Sequence, residues 1–268
     1  MKVKALFHFL EVLSIFEPFF GCLHSSKQEA FGRCFVTKFK PIFEKISLSP
    51  EKTLYSIENI PALCVEIQLP EPEGLPPRAA RRIGGFYRLQ GRAYLRYCEA
   101  ELLPRAAELL RAGTDAFSCC TAALSGQITC RGGDILSLHT DSRECLGGPP
   151  ELLRRGDTWD TRTGMPQPLG SFFPKGCAVR TILLRRAEEE ILRQEAAGIA
   201  RYHEAWRREL RRSFNPDNFY LTERGIAYYW QMHAIAPRAE GIPTFLQPFG
   251  EDGCRCPWET QPSADASR

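Results

Sequence analysis

The chain is expected to be α+β, built from two small units, each a mainly antiparallel curved sheet packed on a long helix. Three observations lead there. Aromatic and β-branched runs come in pairs closed by turn residues, Arg131-Gly132-Gly133-Asp134 in the first half and Thr222-Glu223-Arg224-Gly225 in the second. Each half also holds a stretch whose apolar residues recur at three- and four-residue multiples, the spacing of a buried helical stripe. The 268 residues are 43% hydrophobic, enough for real cores, and apart from the run over residues 5–23 no stretch approaches the ~18 apolar residues that a membrane span needs.

In the first half, residues 54–57 and 63–69 are expected to be strands, the second ended by Pro70, Pro72, Pro76 and Pro77. A helix follows, with Ile83, Tyr87, Tyr94, Cys98 and Leu102 on one face and Arg81, Arg88, Arg92 and Arg96 largely on others. Pro104 should break or kink it before residues 106–110 resume. Residues 116–129 and 135–139 form the next strand pair, and Gly147-Gly148-Pro149-Pro150 closes the unit.

The second half opens with a strand over residues 152–159 and a turn at Asp160-Thr161-Arg162-Thr163-Gly164, with Gly164 where a left-handed residue is needed. One long helix is expected over residues 177–210, burying Leu184, Ala187, Ile191, Tyr202, Trp206 and Leu210, with Gly198 its weak point. Glu188, Glu189 and Glu190 pair with Arg185, Arg186 and Arg193 on its wet face. In the hairpin over residues 218–230, Tyr228 and Trp230 leave one face and Tyr229 the other. One set belongs to the core, which leaves the other as an exposed aromatic platform for a ligand. Residues 244–249 supply a last strand. The expected organisation is an appendage over residues 1–50, an accessory unit over 51–150, a second unit over 151–251 and a flexible tail over 252–268.

Charge narrows the function. Residues 1–52 hold seven of the eight lysines, and the remaining 216 residues balance 27 bases against 27 acids. The globular part is neutral and lacks the basic footprint of a duplex-binding protein, so no nucleic-acid partner is expected. The first 52 residues also hold nine of the seventeen phenylalanines. Lys2, Lys4 and the apolar run after them resemble an export signal, but His8, Glu11, Glu17 and Pro18 interrupt it. Eleven cysteines without a repeating spacing suit free thiols inside a cell better than a disulfide framework.

Reactive signatures fail one by one. His203-Glu204-Ala205-Trp206-Arg207 starts like a zincin helix but has arginine where the second imidazole must share the metal. Cys254 and Cys256 are half a metal clip without its partner half, so no metal and no cofactor is expected. No nucleophile elbow or phosphate-binding glycine loop is present. His139 and Asp141, two apart on a strand, leave the same face and suit a base with its orienting group; the structural alternative is a solvated strand face. Asp157 and Asp160 flank Trp159 as carboxylates flank aromatics in sugar-cleaving sites, though an aspartate at a turn commonly caps the backbone.

Several pieces resemble one family in order: residues 134–138, Gly147-Gly148, Asp157-Thr158-Trp159-Asp160, Thr163-Gly164, residues 169–173, and residues 219–243 with Ile235-Ala236-Pro237-Arg238-Ala239-Glu240-Gly241-Ile242-Pro243. The family is the extracytoplasmic C-terminal domain of RsiV-type anti-sigma factors, the domain-of-unknown-function 3298 family, which also accompanies PdaC-type peptidoglycan deacetylases. The resemblance covers roughly residues 51–251. It implies a recognition module without chemistry of its own, whose ligand is a protein, lysozyme in the RsiV type, or a cell-wall glycan, and it implies a place in the envelope rather than the cytoplasm. Members carry a histidine after the double glycine where this chain has Pro149-Pro150-Glu151, and both the anti-sigma segment and the deacetylase domain are missing from this sequence. The expected contact residues are Gly147, Gly148, Trp159, Asp160, Thr163 and Gly164, on loops of a rigid sheet. The alternative is a hydrolase of envelope polysaccharide using His139, Asp141 or Asp157, which requires those groups to converge in one pocket.

Overall fold

Strand β1 (Glu51–Ile57) turns back on β2 (Ile60–Gln68) through Glu58 and Asn59, both at positive φ. This computed structural model describes residues 51–71, 73–113 and 118–258, all within one compact unit. The expected appendage over residues 1–50, the start of the strand expected from residue 116 and the last ten residues of the tail lie outside the described residues.

After β2 the chain enters helix α1 (Pro77–Tyr97), with proline at its first turn where a missing N–H costs nothing. Pro104 does not break the helical path. A π-turn over Cys98–Leu102 precedes it, in which the Leu103 N–H reaches the Cys98 carbonyl, and the wider turn makes room for the proline ring before α2 (Leu103–Arg111) continues. The crossover returns β3 (Cys120–Gly132) parallel to β2. β3, β4 (Ile135–Cys145), β5 (Glu151–Asp160) and the short β6 (Met165–Pro166) then pair antiparallel, completing sheet A in the order β1-β2-β3-β4-β5-β6. The double-glycine loop therefore joins two strands that pair along ten residues, and the sheet runs on through it.

The expected single helix over residues 177–210 is two helices, α3 (Val179–Ala196) and α4 (Trp206–Arg212). Gly198, at φ +64°, ends the first. Its N–H reaches the Glu195 carbonyl and the Ile199 N–H reaches the Gln194 carbonyl, the two bonds of a left-handed glycine cap. Tyr202, Trp206 and Leu210 still join the same core, so their spacing imitates a continuous helix. Sheet B follows, with β7 (Phe219–Thr222), β8 (Gly225–Tyr229) and β9 (Thr244–Pro248) in that order, all antiparallel.

Four layers result. α1 packs Ile83 and Tyr87 on Leu136, Leu138 and Trp159 of sheet A. Sheet B lies on the other face of sheet A and carries α3 and α4 on its far side, where Leu183, Ile191, Trp206, Leu221, Tyr228 and Trp230 close the largest core. The expected exposed aromatic platform is absent, because both faces of β8 are covered: Tyr228 and Trp230 face the helices, while Tyr229 faces sheet A beside Tyr220 and is 3% exposed. The expected flexible tail is also packed at its start. Cys254 is buried, the Arg255 N–H bonds the Phe172 carbonyl, and Trp258 meets the Phe249 ring at 5.2 Å.

Candidate functional site

Strand alternation sends Ser137, His139 and Asp141 of β4, and Arg154, Gly156 and Thr158 of β5, toward sheet B. What meets them there is the edge of another sheet, and its backbone must be satisfied. Ser137 Oγ accepts the Leu221 N–H at 2.7 Å, and Thr129 Oγ1 donates to the Leu221 carbonyl at 2.6 Å. Sheet B answers in kind. The Tyr229 hydroxyl accepts the Gly156 N–H at 2.8 Å and donates to the Arg154 carbonyl, and the Gln231 amide brackets Arg154 with bonds of 3.0 and 2.6 Å. Each sheet caps the other's free edge with side chains.

His139 and Asp141 sit in this seam. His139 Nδ1 lies 3.2 Å from Asp141 Oδ1, and its ring packs 4.9 Å from that of Tyr220. Arg154 donates Nε and Nη2 to the two Asp141 oxygens at 2.8 and 2.7 Å, a bidentate pair, while its guanidinium lies over the Tyr220 and Tyr229 rings. Burial alone would raise the Asp141 carboxyl; the bonds from Arg154 and His139 outweigh it and hold it at about 2. The same carboxylate raises Arg154 against its own desolvation. Neither expectation for His139 holds fully, since it is neither on a solvated face nor open to a substrate.

Asp157 lies on the opposite face of sheet A, toward α1. Its carboxylate accepts from Arg155 Nε at 3.0 Å and from the Tyr87 hydroxyl at 3.4 Å, and that hydroxyl in turn accepts the Trp159 indole N–H at 2.8 Å. The three residues of the hydrolase alternative are thus split by a sheet. Trp159, expected at a contact surface, is 5% exposed and packed on Phe86 and Tyr87.

Asp160, Thr163 and Gly164 form a self-contained turn. Asp160 Oδ1 caps the N–H groups of Arg162 and Thr163, and the Thr163 carbonyl accepts from Arg82 of α1. Gly164 is at φ +68° and presses on α1, where an added Cβ would stand 2.8 Å from Ala79 Cα. Gly147 and Gly148 are exposed at the other end of β5, about 30 Å away along a ten-residue strand. The two loops do not make one surface. The double-glycine loop is instead joined to residues 233–238: Arg238 donates to the Pro149 carbonyl and to Glu151, and His233 Nε2 lies 3.4 Å from Glu151.

Sequence reading overlooked Glu144, at the same end of β4. Burial pushes its carboxyl up to about 7 against the Tyr97 hydroxyl bond and Arg105, which lower it. Among the described residues no three His, Cys, Asp or Glu side chains gather to hold a metal ion, and no helix is long and apolar enough to cross a membrane.

Residues 171–250, from the approach to α3 through β9, match a family model described as Protein of unknown function (DUF3298). A solved structure of a DUF3298 family member from Bacteroides fragilis superposes with a TM-score of 0.50 at 14% identity, covering 76% of this chain and 90% of that one. A second, from Pseudomonas aeruginosa, gives 0.47 at 14% identity, with 76% and 91% covered. No match was found among curated proteins. The first likeness covers more of the chain than the 80 residues that match the family model, so it reaches into sheet A.

Proposed function

We propose that the chain is a non-catalytic recognition module whose ligand is a protein or a cell-wall glycan, met at the loop over residues 147–151 and the neighbouring residues 233–238. The observation that carries this reading is the use made of the polar residues. His139, Asp141 and Arg154 are bonded into the seam between the sheets, and Asp157 is held on the far face of sheet A. The resemblance to RsiV-type domains supports the ligand class. Gly147, Gly148 and Pro149 are exposed, and Arg238 fixes the loop without covering it. Of the two expected contact loops, the 160–164 turn is the weaker candidate, because its polar groups are spent on itself and on α1.

Titration calorimetry of the full chain against lysozyme and against soluble peptidoglycan fragments tests this reading. Saturable binding to one of them, weakened at least tenfold by Arg238→Ala, is expected. Binding to neither, or peptidoglycan cleavage that is lost in His139→Ala, overturns it.

A further inference from the structure

Four sheet edges must be accounted for, since an open edge is a template for another strand. β1 is charged by Glu51 and Lys52 and bulged between Tyr55 and Ser56. The other edge of sheet A is the two-residue β6, with β5 beyond it capped by Tyr229 and Gln231. β7 is capped by Ser137 and Thr129. Among the described residues, β9 has no charge, bulge or side-chain cap. The Trp230 N–H to Pro243 carbonyl bond and the Phe249 N–H to Arg224 carbonyl bond set its phase. Residues 243, 245 and 247 turn their backbone toward β8, so Thr244 and Leu246 turn theirs outward. Pro248, the last residue of β9, takes the next outward position and has no N–H to offer, which leaves Thr244 and Leu246 as the outward donors.

Beside this edge runs a groove of about 410 Å³ lined by Thr244, Phe245 and Leu246 on one side and by Arg186, Glu189, Glu190 and Arg193 of α3 on the other. Arg186 Nε is buried there without an acceptor among the described residues. Its Nη2 already holds Glu251 and Asp252, and Arg193 holds Glu190. Glu189 is the most exposed carboxylate of the wall, at 61%, with only Arg185 beside it.

We propose that the outer edge of β9 is a strand-addition site for an extended segment of a partner protein. The segment pairs with the backbone of Thr244 and Leu246 and points a lysine or arginine at Glu189. This inference rests on the recognition reading, takes its ligand to be a protein, and adds the β9 edge as a contact separate from the 147–151 loop.

The test is a titration of the ¹⁵N-labelled full chain with a capped seven-residue peptide of alternating lysine and valine, followed by amide shifts. Shifts centred on Thr244 and Leu246 are expected, with at least tenfold weaker binding by Leu246→Pro, whose lost N–H faces outward and is not part of the ladder with β8. Glu189→Lys, at a 61% exposed site paired with Arg185, should reverse the preference to a glutamate-and-valine peptide. The absence of shifts at β9 at millimolar peptide, or equal binding by Leu246→Pro and by Glu189→Lys, overturns the inference. Peptidoglycan binding with no response at β9 overturns it too, and leaves the recognition reading standing.

Discussion

Gly156 of β5 and Phe219 of β7 meet where the two sheets cross, so closely that a Cβ built on the glycine would stand 1.9 Å from the Phe219 carbonyl oxygen. The clash is with backbone, which cannot swing aside as a side chain can. Gly156→Ala should therefore lower stability by about 3 kcal/mol or more, read by urea unfolding. Gly148→Ala, with nothing within 4 Å of the new methyl, should stay within about 0.5 kcal/mol of the parent.

Ser137 is fully buried and holds the Leu221 N–H. Ser137→Ala leaves that donor enclosed without a partner and should cost about 1–3 kcal/mol. Amide exchange at Leu221 should accelerate more than at Ile226, which is secured by its pairing with Gln247 of β9.

Glu144 predicts a pH dependence. Its folded value of about 7 stands above the 4.5 of a free side chain, so the folded chain holds this proton more tightly than the unfolded chain. The stability contributed is present in full below about 4.5 and is lost as pH rises through about 7, a difference of about 3 kcal/mol. Glu144→Gln should flatten the profile of melting temperature between pH 5 and 8 and raise the melting temperature at pH 8.

Much of the fold was legible. The short apolar, aromatic-rich runs of β7 and β8, bounded by their turn signals, mark strands buried on both faces, and the turn between β3 and β4 marks that pair. The end of α3 was readable too, in Ala196-Ala197-Gly198, but Tyr202, Trp206 and Leu210 continue its spacing because α4 packs on the same core. The separation of the two candidate loops also follows from sequence, since the strand expected between them already sets them well over 20 Å apart. The seam between the sheets was not legible. Tyr220, Tyr229 and Gln231 lie 66, 75 and 77 residues from Arg154, and alternation shows which face a residue takes without showing that a second sheet will cover it. For the same reason Tyr229 could be expected in solvent, and His139 with Asp141 at a reactive site.

The central claim is that Asp141 of β4 holds its sheet A neighbour Arg154 of β5 in place against the Tyr220 and Tyr229 rings of sheet B. A double-mutant cycle of Asp141→Asn and Arg154→Met in equilibrium unfolding tests it most directly. The bidentate pair predicts that each single change costs about 2–3 kcal/mol and that the two are coupled by about 2 kcal/mol, since removing one partner strands the other in a half-buried site. Additive effects, or single changes that leave stability untouched, would contradict it.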